Sequence, residues 1–194
     1  MKKNLIFVAQ MATIDFGIKQ LIKIKLKDIL IKYLFKKLQK TSSVMIWGSF
    51  WIKGTLSLSF LDGKVNAQKY IKMLKEEAID KFNNVAGAGK YVFQQDNAPC
   101  HVAKISLEFF KKEKIQLLDW PPCSPDLNPI ENLWGIISNK LYKGGRIFKS
   151  VKELKTAIIR AWEDISKETC ESLVFSMDKR CEEVIGLEGS TIAY

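Results

Sequence analysis

Two carboxylates in this sequence stand where acidic side chains could do chemistry, Asp96 and Glu131. Asp96 follows the apolar run 91–93 and precedes the turn-forming residues 97–99, so we expect it at the C-terminal end of a strand. Glu131 follows a proline-rich stretch and is expected in the first turn of a helix. All five prolines of the chain lie within residues 99–129, which predicts a loop held in one shape.

Carboxylates on two rigid elements, with no histidine or cysteine cluster between them, are typical ligands of hard cations such as Mg²⁺ or Mn²⁺. Metals held in this way can activate water and stabilise the leaving oxygen in phosphoryl transfer. Two structural alternatives stay open. Asp96 could shape the turn that it begins with Asn97. Glu131 could belong to a capping box with Asn128, with Pro129 at the first helical position.

Other residues with ligand chemistry have simpler explanations. Cys100, His101 and Cys123 could be imagined as a zinc site, but no C-x-x-C pair supports it. His101 is the only histidine of the chain, and its place at the start of a predicted helix favours a structural role over a catalytic one. Asp62 precedes Gly63 at a strand end, so we interpret it as a turn residue rather than a ligand.

The spacing of apolar residues predicts an α/β domain, with a mixed sheet of about five strands flanked by helices. The first predicted strand is 5–9, which residues 11–15 could extend. The other predicted elements are strands at 43–50, 55–61, 91–95 and 115–120, and helices at 66–82, 101–112, 127–142, 151–165 and 169–184.

Length and composition are those of one soluble globular domain, with 194 residues, 47% hydrophobic and 27% charged. The net charge of +10 favours a polyanionic partner, and nucleic acid is the first expectation, although basic proteins also bind anionic membranes. No uncharged apolar run approaches the about 18 residues of a membrane span. Four cysteines and no signal peptide predict free thiols in an intracellular, reducing compartment.

Residues 1–42 differ in composition from the rest, and we predict a boundary between this basic N-terminal segment and a main domain, 43–194. Within the segment, residues 19–40 first alternate lysine with isoleucine or leucine and then take helical spacing. One interpretation is an edge strand followed by a surface helix. Another is a basic amphipathic segment that contacts DNA or a membrane surface.

Three strings occur in an order that is typical of one enzyme family: SVMIWGSF (43–50), QQDNAPCH (94–101) and WPPCSPDLNPIENLW (120–134). Over residues 43–194 the chain resembles the catalytic domain of the Tc/mariner superfamily of DDE transposases, in particular its Tc branch. The 131 − 96 − 1 = 34 residues between the two acids equal that branch's spacing between its second and third catalytic acids. The resemblance implies a ribonuclease H-like fold, with Asp96 and Glu131 as catalytic residues and metal ligands.

The first catalytic aspartate of the family lies on the first strand, usually followed by Glu-Ser or a similar pair. This sequence has no such Asp-Glu string. Asp15 follows an apolar stretch and is our candidate for the third catalytic and metal-binding acid, whereas Asp28 stands only 47 − 28 = 19 residues before Trp47. Asp15 itself is 47 − 15 = 32 residues before Trp47, closer than the family's usual separation, so we interpret the N-terminal segment as divergent or as a shifted-frame remnant.

The resemblance implies a transposase-type DNA endonuclease and strand-transfer domain that acts in DNA transposition and integration in the nucleus. It also implies Mg²⁺ or Mn²⁺ as the cofactor, with two metals if the acidic triad is complete. One alternative is a catalytically inactive remnant that binds DNA non-specifically or dimerises. Another is a membrane-surface protein that acts through residues 19–40.

DNA is the expected partner, bound mainly through its phosphates, because no pattern here matches the paired helix-turn-helix regions with which the family recognises its element's ends. Lys143 and Arg146 are candidates for phosphate contacts, with a solvated loop as the alternative. A homodimer stays open, and we expect neither a membrane partner nor a small-molecule substrate. Residues 176–180, Ser-Met-Asp-Lys-Arg, resemble the family's Ser-Met-Pro-x-Arg element.

Overall fold

The computed structural model of the chain describes residues 4–8, 12–14, 43–122 and 124–192. Within these ranges no helix is long and apolar enough to cross a membrane. The described ranges form six strands and six α-helices: β1 (Asn4–Val8), β2 (Ala12–Ile14), β3 (Val44–Trp51), β4 (Gly54–Leu61), α1 (Ala67–Glu77), α2 (Ile79–Ala86), β5 (Tyr91–Gln94), α3 (Lys104–Lys112), β6 (Gln116–Leu117), α4 (Ile130–Leu141), α5 (Val151–Glu163) and α6 (Lys167–Gly186).

The strands form one mixed sheet. β3 is antiparallel to β1, β2 and β4, whereas β5 is parallel to both β1 and β6. β4 pairs along residues 45–51 of β3, so β1 and β2, which pair with the two ends of β3, share its other edge. The order is therefore β4, β3, β1 with β2, β5 and β6. These five strand positions confirm the predicted mixed sheet of about five strands.

β3 is buried on both faces, and its alternating side chains enter two separate cores. Trp47 and Trp51 pack in the core that α1, α2 and α3 cover. Ile46 and Phe50 pack in the core that α4, α5 and α6 cover. Burial on both faces explains why the strand reads as a nearly continuous apolar run in the sequence.

Gly48 fixes how closely α4 approaches the sheet. The rings of Trp134 from α4 and Trp162 from α5 stack with their centroids 5.4 Å apart. A Cβ atom at Gly48 would lie 2.8 Å from the Trp134 ring and 2.9 Å from the Trp162 ring. Because only glycine leaves room for this pair, the two helices sit directly on β3, and α4 is the helix that carries Glu131.

The predicted helix at 66–82 is two helices, because the backbone leaves helical geometry at Ala78 (φ −125°, ψ −51°). Its predicted N-cap is confirmed, since the Asn66 side chain accepts a hydrogen bond from the Lys69 N–H at 2.9 Å. β6 is only two residues long instead of the predicted six, Ile115 to Trp120.

Two helices begin later than predicted. α3 begins at Lys104 because His101 lies in a turn, where its N–H donates to the Ala98 carbonyl oxygen at 2.8 Å. α4 begins at Ile130 because residues 125–127 form a separate 3-10 turn and do not continue into the helix. Glu131 is then the second residue of α4, which keeps it in the first turn as predicted.

Candidate active site

Asp96 stands two residues after the end of β5, with about 18% of its side chain exposed. Its Oδ1 atom accepts a hydrogen bond from the Ala98 N–H at 3.1 Å, which is the turn contact that the sequence suggested. The same oxygen lies 2.5 Å from Nδ1 of His101. The turn bond orients the carboxylate toward the histidine, so the structural role of Asp96 is compatible with a role as a ligand.

His101 is fully buried and forms an ion pair with Asp96. Burial by itself lowers the pKa of the imidazole, but the hydrogen bond that the ring donates to Asp96 opposes this, and the pKa rises from 6.5 to about 9. The ring is therefore protonated at neutral pH, and its Nδ1–H donates to the carboxylate. This contact is compatible with the structural role that the sequence analysis favoured for His101, and the motif QQDNAPCH carries both residues of the pair.

Tyr70 and Gln95 hold the histidine in place. The Tyr70 ring packs on the His101 ring with the centroids 4.3 Å apart. The Tyr70 hydroxyl donates to Oε1 of Gln95 at 2.7 Å, and Nε2 of Gln95 donates to the His101 carbonyl oxygen at 3.4 Å. Burial raises the pKa of Tyr70 well above 10, so the hydroxyl stays protonated as the donor. α1 thus supports the Asp96–His101 pair from behind.

Glu131 is half-buried at the N-terminal end of α4. Burial raises the pKa of its carboxyl group, and the negative charge of Asp96 raises it further. Among the described residues, none donates a hydrogen bond to the Glu131 side chain, and the Asn128 N–H donates to the Pro125 carbonyl oxygen instead. The capping-box alternative is therefore wrong, because its return bond from Asn128 to Glu131 is not formed.

A buried amide pair joins the two elements that carry the acids. Nε2 of Gln94 in β5 donates to Oδ1 of Asn128 at 3.4 Å, and both side chains are at most 1% exposed. Oδ1 of Asn128 also accepts from the Ile130 N–H at the start of α4, at 3.4 Å. This contact ties the strand before Asp96 to the loop before Glu131 and fixes their separation. The sequence analysis did not single out Gln94, and it considered Asn128 only as a capping-box partner of Glu131.

The donor set suits a hard divalent cation. Asp96 and Glu131 supply carboxylate oxygens, and for Glu131 the described residues supply no cationic partner. Mg²⁺ typically binds through one or two carboxylates and fills its other positions with water and substrate phosphate oxygens. Within the described ranges no group of three or more His, Cys, Asp or Glu side chains is placed to hold a metal ion. The residues present therefore fit one such ion.

Asp15, the candidate for the third acid, lies outside the described residues, as does Asp28. The pairings of β1 and β2 with β3 show how far apart the ends of these two strands lie. Val8 pairs with Ser49 and Ile14 with Val44, so these two pairs lie five residues, about 17 Å, apart along β3. β1, which lies beside β5, contains no acidic residue. The assignment of Asp15 stays a prediction.

The other candidate ligands are Asp62 and the residues of the zinc alternative. Asp62 has about 94% of its side chain exposed and lies 3.9 Å from the Lys155 ammonium group, which fits a surface turn. For the zinc alternative, Cys123 lies outside the described residues, and Nδ1 of His101 already contacts Asp96.

Lys143 and Arg146 lie beyond the C-terminal end of α4. Lys143 is exposed, and the Arg146 guanidinium lies 3.4 Å from Glu153 and over the Phe148 ring at 4.6 Å. With Lys140 and Arg160, Arg146 borders an open groove of about 560 Å³ between α4 and α5. Lys140 is nine residues after Glu131, which is about 14 Å along the helix and on its opposite face. This basic groove is therefore separate from the carboxylate pair.

Asp96 opens onto a second groove, of about 380 Å³, whose wall is formed by the proline-rich loop. Nδ2 of Asn97 donates to the Trp120 carbonyl oxygen at 2.9 Å and so joins the two sides of the groove. Trp120, Pro121 and Pro125 form the apolar wall, and Asn128 lies at its inner end. Part of a larger substrate can therefore lie against a rigid surface next to Asp96.

Comparison with protein families gives a match over residues 31–155 to a family described as DDE superfamily endonuclease. The chain is similar to the Tc3 transposase of Caenorhabditis elegans, with 41% identity over 152 residues, 78% of this chain and 46% of the relative. It is also similar to the Tcb1 transposase of Caenorhabditis briggsae, with 32% identity over 152 residues, 78% of this chain and 55% of that relative. The chain spans about half the length of these relatives.

Two solved structures show the same fold. The Mos1 transposase catalytic domain with raltegravir and Mn superposes with a TM-score of 0.77 at 16% identity, covering 98% of this chain and 86% of that one. The mariner Mos1 paired-end complex with Mg gives a TM-score of 0.76 at 16% identity, covering 98% of this chain and 57% of that one. This likeness confirms the ribonuclease H-like fold that the sequence resemblance implied.

Proposed function

The chain belongs to the family of DDE superfamily endonucleases, and on that premise we propose that it is the catalytic domain of a Tc/mariner-type transposase that cleaves and joins DNA strands. One observation carries the proposal. Asp96 follows β5 and Glu131 lies in the first turn of α4, with 34 residues between them in sequence, and the Gln94–Asn128 hydrogen bond joins the two segments that carry them. The negative charge of Asp96 contributes to the raised pKa of Glu131. Two carboxylates of this kind are the protein's part of a divalent metal site.

Asp96 and Glu131 would hold Mg²⁺ or Mn²⁺. When bound, such a metal activates a water molecule or a 3′-hydroxyl group and stabilises the leaving oxygen. His101 neutralises part of the charge of Asp96 and fixes the direction of its Oδ1 atom. Gln94 and Asn128 keep the separation of the two acids constant. A two-metal site requires a third acid, for which Asp15 is the candidate.

DNA is the proposed substrate and partner. The net charge of +10 favours a polyanion, and the groove beside Asp96 is open to a long substrate. We assign non-specific phosphate contacts to Lys143 and Arg146 on the basic loop. Paired-end and strand-transfer complexes are known for the similar Mos1 protein, which supports a dimer here as well. We also propose a nuclear location, because the proposed substrate is chromosomal DNA.

A second candidate function is a catalytically inactive member of the family that binds DNA without cutting it. The observation in its favour is the composition of β1, which contains no acid, together with the absence of Asp and Glu from the sequence before Asp15. Such a chain would keep the fold and the basic surface but would lack one metal ligand.

Nicking of supercoiled plasmid DNA in the presence of Mn²⁺ tests the proposal and separates the two candidates. An active domain nicks the plasmid, and Asp96→Asn and Glu131→Gln each abolish the nicking. Plasmid binding without nicking by the wild-type chain would favour the inactive member. Nicking that persists in both variants would show that another residue, or a contaminant, cuts the DNA.

A further inference from the structure

Arg180 in α6 is a buried arginine, with only 5% of its surface exposed. Its Nη1–H donates to the Asp126 carbonyl oxygen at 2.9 Å, and its Nη2–H donates to Oδ1 of Asn132 at 2.8 Å. Its Nε–H donates to the Ser176 hydroxyl oxygen, one helical turn earlier, at 3.0 Å. Each of the three guanidinium nitrogens thus donates one hydrogen bond.

The acceptors of the two Nη bonds lie on the two sides of Glu131 in the sequence. Asn132 follows Glu131 directly, and Asp126 stands five residues before it, in the 3-10 turn that leads to α4. Asp126 is itself buried, and its Oδ2 atom accepts from the Ile192 N–H at 3.0 Å. Arg180 therefore connects the turn before Glu131 to the helix turn that contains it.

This connection complements the one from the sheet. Gln94 holds the loop before Glu131 from β5, through Asn128. Arg180 holds the same loop and the first turn of α4 from the opposite side, through α6. The start of α4 and the loop before it are thus held by side-chain hydrogen bonds from both β5 and α6. Glu131 has no hydrogen-bond donor of its own among the described side chains, so its direction depends on this backbone.

We propose that Arg180 is a positioning residue that holds the Glu131 carboxylate opposite Asp96. The inference rests on the proposed function of these two acids as a metal-binding pair. The planar fork of the guanidinium is needed, because it presents two N–H groups to two acceptors at a fixed angle, whereas a lysine ammonium group is a single flexible point charge. Ser176, which belongs to the same Ser-Met-Asp-Lys-Arg string, fixes the orientation of the fork.

A double-mutant cycle on Mn²⁺ affinity, measured by calorimetry, tests the proposal. We expect Arg180→Met to weaken Mn²⁺ binding by about tenfold, the size of effect seen when a group that orients a metal ligand is removed. Arg180→Lys should lie between Arg180→Met and the wild type. In a Glu131→Gln background, Arg180→Met should change the affinity by less than about twofold, because the group through which it acts is already altered.

Lys179→Met is the matched control on the same helix, because the Lys179 side chain is exposed and its ionic partner among the described residues is Glu183, at 3.5 Å. It should leave Mn²⁺ affinity unchanged. Two results would overturn the inference: a folded Arg180→Met variant that binds Mn²⁺ as the wild type does, or the same loss of affinity with and without Glu131. The second result would mean that Arg180 only stabilises the fold.

Amide hydrogen exchange tests the positioning without any metal. The Glu131 N–H donates to the Asn128 carbonyl oxygen at 3.1 Å and reports the order of this turn. We expect faster exchange at residues 128–132 in Arg180→Lys and in Asn132→Ala, which removes one acceptor, with unchanged exchange in α5. Unchanged exchange at 128–132 would refute the inference. If the wild type binds no Mn²⁺, the proposed metal site is wrong. The exchange experiment still shows whether Arg180 orders the turn that contains Glu131.

Discussion

Nδ1 of His101 lies 2.5 Å from Oδ1 of Asp96, and the histidine is fully buried. The pair places a protonated imidazole directly behind one of the two carboxylates of the candidate active site. The Ala98 N–H and the His101 ring thus hold the Asp96 carboxylate in place. This arrangement gives the acid a fixed direction and partly compensates its charge.

His101→Gln should destabilise the domain by about 3 kcal/mol near pH 6, because removing one partner leaves the charge of the other poorly compensated in the interior. Urea denaturation followed by circular dichroism measures the change. Val102→Ala is the control, since Val102 is the next residue and its side chain is exposed. An equal and small effect of both substitutions would show that the ion pair contributes nothing to stability.

The stability that the pair contributes should depend on pH in one direction. The pKa of His101 is raised from 6.5 to about 9 in the folded protein, so folding favours the protonated ring. The difference in stability between wild type and His101→Gln should be largest below pH 6.5 and should disappear as the pH rises through about 9. A difference that stays constant over this window would contradict the raised pKa.

Glu131 should make Mn²⁺ binding sensitive to acid. Its pKa is raised above 4.5 by burial and by Asp96, and a carboxyl group must lose its proton to bind a metal. Mn²⁺ affinity should therefore begin to fall at a higher pH than for an ordinary glutamate. Titration of the Glu131 side chain by NMR in Asp96→Asn should give a lower pKa than in the wild type. The same pKa in both proteins would show that the two carboxylates do not interact.

Gly48→Ala should destabilise the domain by about 1–3 kcal/mol, because the new methyl group would overlap the stacked rings of Trp134 and Trp162. Gly135→Ala is the matched control within α4. Nothing lies within 4 Å of a Cβ atom there, and alanine favours a helix over glycine by about 1 kcal/mol. Urea denaturation should thus give opposite signs for the two variants. A neutral Gly48→Ala would mean that α4 can move away from the sheet without cost.

The positions of both carboxylates could be predicted from the sequence, because the signals are local. Apolar residues followed by Asn97-Ala98-Pro99 end a strand before any tertiary contact is considered, and the proline-rich loop places Glu131 in a first helical turn. The predicted starts of α3 and α4 were less accurate. The residues of the 3-10 turn at 125–127 and of the turn at His101 have helix-like spacing in the sequence, but neither turn continues into the helix that follows it.

The contacts that support the site could not be read from the sequence in the same way. Gln94 and Asn128 are 34 residues apart, and Arg180 is 54 residues from Asp126. Nothing in the neighbourhood of any of these residues indicates its partner, because side-chain hydrogen bonds at this range depend on the packing of whole helices on the sheet. The Ser-Met-Asp-Lys-Arg string marked the position of Arg180 only through its resemblance to the family.

Mn²⁺ binding by calorimetry on the wild-type chain, Asp96→Asn and Glu131→Gln is the most direct test of the central claim. Asp62→Asn, at an exposed acid that pairs with Lys155, is the control, and Asp15→Asn tests the third ligand. We expect the wild type to bind Mn²⁺. The Mn²⁺ affinity should be unchanged in Asp62→Asn and weakened by more than about tenfold in Asp96→Asn and in Glu131→Gln. A wild-type chain that binds no Mn²⁺, or two variants that bind as well as it does, would contradict the account.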